Sequence, residues 1–105
     1  MPNKVVRSVL SSMRQHNRRT VILPAILDIG KYNVECTAYD ISLGGVRVKV
    51  DLPIEKGTSV YVQLKNKIKR AAKVIWSADG FMGLSFEEGP ETVKVGLGNL
   101  ANGLN

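Results

Sequence analysis

The sequence predicts an all-β fold, specifically a small six-stranded antiparallel β-barrel. Short runs rich in Val, Ile, Tyr and Thr recur along the chain, and glycine-containing turns separate them at intervals typical of antiparallel sheets. Within the runs, apolar residues alternate with polar ones, as expected where one face of a sheet is buried. Such a sheet has to close or stack to bury its apolar face, and closure also removes exposed edges.

The predicted elements along the chain are a short helix, six strands and a short C-terminal helix. Apolar residues recur at helical spacing in residues 4–13, which predicts a short amphipathic helix. Strands are expected at "TVILPAILD", "VECTAYDI", "GVRVKV", "TSVYVQL", "IKRAAKVIW" and "FMGLSF". Glycines interrupt the helical spacing near the end of the chain, so the last helix is expected to be short. We therefore divide the chain into a flexible basic arm (1–19), the barrel (20–89) and a short C-terminal helix or tail (90–105).

Positive charge is concentrated at the start of the chain. Residues 1–20 carry five basic and no acidic residues, whereas residues 21–105 carry ten basic and nine acidic residues. A basic arm on a nearly neutral body is typical either of a solvated tail or of a site for an anionic partner, such as a phosphate-bearing ligand, a nucleic acid or a membrane surface.

Composition argues against several classes of protein. No apolar run approaches the ~20 residues of a membrane span, and polar residues interrupt the start, unlike a secretory signal, so a cytoplasmic protein is expected. The single cysteine, Cys36, excludes an internal disulfide and is expected to be a buried structural thiol. Together with the one histidine, His16, it could form a zinc site only if carboxylates supplied the other ligands. Since no catalytic constellation is evident, we expect neither an enzyme nor a metal or cofactor.

Two short motifs lie before the first predicted strand and at the end of the second. Arg14 and Arg18 form R-x-x-x-R, and 22 residues after Arg18 a D-x-S-x-x-G motif begins at Asp40 and continues with Ser42 and Gly45. The second motif lies within "DISLGG", which on its own is typical of an ordinary turn between strands.

In this order and spacing, the two motifs resemble those of the PilZ domain, the bacterial receptor module for cyclic di-GMP. The stretch "RRTVILPAIL" resembles the family's entry into its first strand, and "AAKVIWSADGFMGLSFEEG" is similar to its final hairpin. The resemblance covers residues 13–89.

Arginine chemistry suits the ligand that the resemblance implies. A guanidinium pairs bidentately with a phosphate or with guanine O6 and N7, and its face stacks on a purine ring. Arg14, Arg18 and the neighbouring Arg19 are therefore the expected phosphate and guanine ligands. His16 is expected to be an arm residue that helps to line the ligand.

The turn supplies the complementary groups. The carboxylate of Asp40 can accept hydrogen bonds from guanine N1–H and N2–H, and the hydroxyl of Ser42 can donate or accept one. Gly44 and Gly45 remove side-chain bulk and permit a positive φ, so that the backbone can approach the bases. Trp76 is more typical of a core or barrel-rim aromatic than of a stacking platform.

The resemblance implies a receptor without catalysis, in which the mobile arm folds over cyclic di-GMP, as one molecule or an intercalated pair, and presents a changed surface to a downstream protein. One alternative is a small-barrel nucleic-acid binder, although the chain has only six aromatic residues and no basic strand interleaved with them, so neither DNA nor RNA is expected. Another is a PilZ-like interaction module that no longer binds nucleotide. Loss of one motif would mark that module, and here both motifs are complete.

Overall fold

The computed structural model describes residues 17–105, which form a closed antiparallel β-barrel and confirm the predicted fold class. The order of the strands around the barrel is β1-β2-β3-β6-β5-β4. The strands are β1 (Arg19–Asp28), β2 (Asn33–Ile41), β3 (Gly45–Lys49), β4 (Ser59–Leu64), β5 (Ile68–Ala78) and β6 (Phe81–Phe86). The predicted N-terminal helix, Arg14 and His16 lie outside the described residues.

The barrel interior is built by the alternation that the sequence shows. In β4, Val60 and Val62 are buried, whereas Tyr61 between them is 51% exposed. Each fully buried aliphatic side chain of this kind stabilises the fold by roughly 1.5–3 kcal/mol relative to exposure. The largest fully buried side chains are Leu27, Ile41, Leu64, Met82, Leu84, Leu97, Val48, Val62, Val74 and Val93.

Three register shifts interrupt the barrel: one lies between Thr20 and Leu23 of β1, and the other two are the β-bulges that border a groove on the outside of the barrel. Between β2 and β3 the register shifts at Tyr39, and between β5 and β6 it shifts at Ile75. A bulge places two residues opposite one and redirects the side chains that follow. Strict alternation from the buried Ala38 would direct Asp40 into the core, but the bulge buries Ile41 instead. Asp40 consequently lies on the outer surface.

The C-terminal segment adds a short helix to the same core, as predicted. The helix spans Pro90–Leu97, begins with proline in its first turn and continues into a 3-10 turn at Gly98–Ala101. The apolar residues of the segment that join the barrel core are Val93, Leu97, Leu100, Ala101 and Leu104. Within residues 17–105, no helix is both long and apolar enough to cross a membrane.

Cys36 lies on β2 opposite Ala25 of β1 and packs against the core. It is half-buried rather than fully buried, as a side chain packed against the edge of the core. Burial raises the pKa of the Cys36 thiol to about 11.

This pKa predicts slow alkylation of Cys36 in the native protein. Because the thiolate is the reactive form, a rise from 9.0 to about 11 lowers the reactive fraction about 100-fold near pH 8. Iodoacetamide labelling followed by mass spectrometry is expected to be about 100-fold slower in buffer than in urea. Equal rates in the two conditions would contradict this environment for the thiol.

Candidate functional site

The two bulges border an open groove of about 240 Å³ on the outside of the barrel. The turn between β2 and β3 forms one side of it, and the last hairpin forms the other. Of the residues predicted for a site, Arg18, Asp40, Ser42, Gly44 and Gly45 are brought together here. The complete lining consists of Arg18, Asp40, Ile41, Ser42, Gly44, Gly45, Val46, Arg47, Ile75, Trp76, Gly83, Leu84 and Ser85.

The turn between β2 and β3, on one side of the groove, is closed by its own serine. The Ser42 hydroxyl accepts hydrogen bonds from the N–H groups of Gly44 and Gly45, at 3.1 and 3.2 Å. The Ser42 N–H donates to the Gly45 carbonyl at 2.9 Å, and the Gly44 carbonyl accepts from the Phe86 N–H at 2.9 Å. Ser42 thus fixes the shape of the turn, and the neighbouring strand holds the turn in place.

The structure shows a reason for glycine at position 45 that the sequence did not suggest. Neither Gly44 nor Gly45 uses the positive φ that glycine permits. A Cβ atom at Gly45 would lie 2.1 Å from the backbone oxygen of Leu84, a distance at which one of the two backbones has to move. Gly45 is therefore required by the close approach of β3 to β6.

The carboxylate of Asp40 lies next to a cation that the sequence analysis did not select. Asp40 Oδ2 is 2.8 Å from Nε of Arg47, its partner across the hairpin. At this distance the two groups form a close charged contact.

Arg47 also packs against an aromatic ring. Its guanidinium carbon lies 4.8 Å from the centre of the Phe81 ring, which in turn meets the Tyr39 ring in an edge-to-face contact at 5.7 Å. The alternation of "GVRVKV" predicted only that Arg47 faces outwards. Its position three residues after Gly44, across a tight hairpin from Asp40, was the signal that could have identified it.

The indole of Trp76 lies on the opposite side of the groove. The bulge at Ile75 turns Trp76 away from the core, and the residue is 39% exposed. A Cβ atom at Gly83, its partner on β6, would lie 2.0 Å from the indole nitrogen, so the ring lies directly against the glycine. The sequence favoured a core or rim position for Trp76, and the structure places it at the rim with its ring in the groove.

Arg19 is not brought together with the other predicted residues. Its guanidinium donates hydrogen bonds to the backbone carbonyls of Leu100, at 2.6 Å, and of Asn102. Next to it, the Asn17 N–H donates to the Asn105 carbonyl at 3.3 Å. Because Arg19 is the first residue of β1, alternation directs its side chain to the C-terminal turn while Arg18 lines the groove.

Gly83→Ala is expected to move the Trp76 ring out of the groove. The new methyl group would overlap the indole, which can swing towards solvent at a cost of about 1 kcal/mol in unfolding free energy. Since Trp76 is the only tryptophan in the chain, its fluorescence emission should shift to longer wavelength. Gly89→Ala is a suitable control, because a Cβ there meets nothing within 4 Å. An unchanged emission in Gly83→Ala would contradict this packing.

Comparison with solved structures shows where this fold occurs. The PilZ domain of CeSA from a cellulose-synthesizing bacterium superposes with a TM-score of 0.69 and 19% identity, over 83% of this chain and 96% of that one. The Bacillus subtilis inhibitor of motility, MotI/DgrA, superposes with a TM-score of 0.65 and 22% identity over 80% of this chain. This chain covers only 47% of MotI/DgrA.

A third structure, the Legionella protein Lpg0364, gives a TM-score of 0.52 and 23% identity, over 77% of this chain and 87% of that one. A sequence search of curated proteins gave no match. At these identities the structural comparisons establish the fold alone. The family is established by a profile described as "PilZ domain", which matches residues 12–103, nearly the whole chain. The chain therefore belongs to the PilZ domain family.

Proposed function

We propose that this PilZ domain is a receptor for cyclic di-GMP that binds the dinucleotide in the groove beside the β2–β3 turn. Binding would order the basic arm over the ligand and present a changed surface to a downstream protein. The family is known for cyclic di-GMP receptors, and the proposal assigns this chain no catalytic step.

The observation that carries the proposal is the combination of groups in one groove. Arg18 provides a guanidinium for a phosphodiester, and Asp40 provides acceptors for the N1–H and N2–H of guanine. Across the groove, the Trp76 ring offers a surface on which a base can stack. Each part of the dinucleotide therefore has a complementary group, and a simple turn would require none of them.

The size of the groove supports a role for the arm. Its volume of about 240 Å³ is below the roughly 300–1,000 Å³ of pockets that enclose a drug-sized ligand. A dinucleotide resting in it would stay partly uncovered by residues 17–105. Arg14 belongs to the same R-x-x-x-R motif as Arg18, and residues 1–16, with three basic and no acidic residues, are suited to cover the remaining phosphate.

The basic side chains of β5 do not favour the nucleic-acid alternative. Lys69 lies 3.2 Å from Asp28, and Arg70 lies 3.0 Å from Glu88. Lys73 is 4.0 Å from a carboxylate oxygen of Glu87. Because acidic partners offset the basic side chains of β5, this strand lacks the continuous positive surface that follows a nucleic-acid backbone.

Isothermal titration tests the proposal, with cyclic di-GMP as the ligand and GMP and a short single-stranded RNA as controls. We expect saturable binding of the dinucleotide alone, and its stoichiometry distinguishes one bound molecule from an intercalated pair. Arg14→Ala and Arg18→Ala should each weaken binding by about 10-fold or more, because each removes charge-assisted hydrogen bonds.

Lys67→Ala is the matched control, since it removes the same charge from an exposed turn between β4 and β5, outside the groove lining. It should bind cyclic di-GMP like the unmodified protein. Saturable binding of RNA, weakened by Lys67→Ala, would favour the nucleic-acid alternative. If neither cyclic di-GMP nor RNA binds, the receptor proposal is refuted and the protein-interaction module remains.

A further inference from the structure

Arg47 fixes the position of the Asp40 carboxylate from one side only. The ion pair joins Arg47 Nε to Asp40 Oδ2 at 2.8 Å, and 20% of the Asp40 side chain is exposed. Arg47 is itself held, because its guanidinium lies on the Phe81 ring at 4.8 Å and Tyr39 contacts that ring. A cation with a defined position therefore orients the carboxylate at the rim of the groove.

This ion pair leaves most of the hydrogen-bonding capacity of the carboxylate unused. Within residues 17–105, Arg47 is the one cation paired with Asp40, and it contacts Oδ2. An ionised carboxylate has about four lone-pair sites, so most of them stay open for a ligand. The geometry combines a fixed negative charge with open acceptors.

That combination matches one edge of guanine. The base presents two parallel donors, N1–H and N2–H, and a carboxylate accepts both only when its plane is held at the correct angle. A neighbouring phosphodiester would repel an unneutralised carboxylate, so the charge of Arg47 also keeps Asp40 compatible with a phosphate nearby.

We infer that Arg47 is a positioning residue that determines base specificity through Asp40. It would act by orienting the carboxylate towards the amino edge of guanine, with any contact to phosphate as a secondary effect. The inference rests on the proposed binding of cyclic di-GMP in this groove, and it assigns a role to a residue outside both sequence motifs.

The experiment compares cyclic di-GMP with cyclic di-IMP, which has the same ring and phosphates but lacks the 2-amino group. The measured quantity is the ratio of the two dissociation constants in the unmodified protein, Arg47→Gln, Arg47→Lys and Lys49→Gln. Lys49 is the matched control, since it is an exposed cation two residues along the same strand and is not part of the groove lining. Thermal unfolding verifies that each variant is folded.

We expect the unmodified protein and Lys49→Gln to prefer cyclic di-GMP by about 10-fold or more, as for a site that hydrogen-bonds a donor which the analogue lacks. In Arg47→Gln the preference should fall to about 3-fold or less, because the carboxylate is no longer oriented. Arg47→Lys keeps the charge but not the planar contact with Phe81, and should retain an intermediate preference. If Arg47→Gln does not fold, the ratio of dissociation constants measured for Arg47→Lys tests the inference instead.

Other outcomes separate this inference from the proposed function. If Arg47→Gln, or Arg47→Lys in its place, weakens both ligands equally and keeps the full preference, Arg47 contributes charge or stability only, and the inference is wrong while the receptor proposal stands. An unmodified protein that binds both dinucleotides equally overturns the inference in the same way. An unmodified protein that binds neither refutes the receptor proposal and, with it, the inference.

Discussion

Asp40→Ala is expected to weaken cyclic di-GMP binding by about 30-fold to 1,000-fold, the loss that follows when two donors of a buried base edge lose a charged acceptor. The carboxylate lies on the outer surface after the bulge at Tyr39 and does not contribute to the core. Its partly exposed ion pair with Arg47 is worth at most about 1 kcal/mol, so the variant should stay folded. Isothermal titration measures the affinity, and thermal unfolding verifies the fold.

Glu35→Ala provides the matched control for this prediction. Glu35 is an exposed carboxylate on the same strand, β2, and is not part of the groove. Its removal changes the net charge as Asp40→Ala does, and it should leave the affinity within about 2-fold of the original. Equal affinities in Asp40→Ala and the unmodified protein would contradict the role of Asp40.

Gly45→Ala is expected to have the largest effect on stability, a loss of about 3 kcal/mol in unfolding free energy. The added Cβ would lie 2.1 Å from the Leu84 carbonyl oxygen and 3.2 Å from the carbonyl carbon. Both atoms belong to the backbone of β6, so the clash is not relieved by rotation of a side chain. Chemical denaturation of both proteins measures the difference.

Two comparisons make this prediction specific. Gly89→Ala, where a Cβ meets nothing within 4 Å, should change stability by less than about 1 kcal/mol. Gly83→Ala should fall between the two, because the indole that it meets can move. A Gly45 variant as stable as Gly89→Ala would mean that β3 and β6 are farther apart than the structure has them.

The strands were predictable because alternation and turn chemistry report directly on a sheet with one buried face. In "SVYVQL" the period of two assigns Val60 and Val62 to the core and Tyr61 to the surface, as observed. The closed barrel follows because such a sheet has to bury its face, and the glycines of the C-terminal segment correctly indicated a short helix.

The bulges were not predictable, and they are what creates the groove. A period of two continued through Ala38 and Val74 places Asp40 and Trp76 in the core. One extra residue in each strand, Tyr39 and Ile75, reverses that assignment. No local signal in a single sequence marks such an insertion, since it is decided by how neighbouring strands pair. The motif identified Asp40 through the family resemblance. The direction of the Trp76 side chain, in contrast, is known only from the structure.

Arg19 and Arg47 illustrate the limit of charge patterns. The basic run suggested that Arg19 joins Arg18, but the two side chains point in different directions because they are adjacent at the start of a strand. Arg19 instead binds the carbonyls of the C-terminal turn. Arg47 stood in an ordinary alternating strand, and only the register of the hairpin brings it to Asp40.

The central claim is that cyclic di-GMP binds in the groove beside the β2–β3 turn. It is tested most directly by mapping the ligand onto the folded protein with amide chemical shifts in two-dimensional NMR. We predict that the largest ligand-dependent shifts in residues 17–105 cluster at the β2–β3 turn and across the groove, at Asp40, Ser42, Arg47, Trp76 and Gly83. Shifts confined to the lysine-rich β4–β5 hairpin, or no shifts at saturating ligand, would contradict the claim.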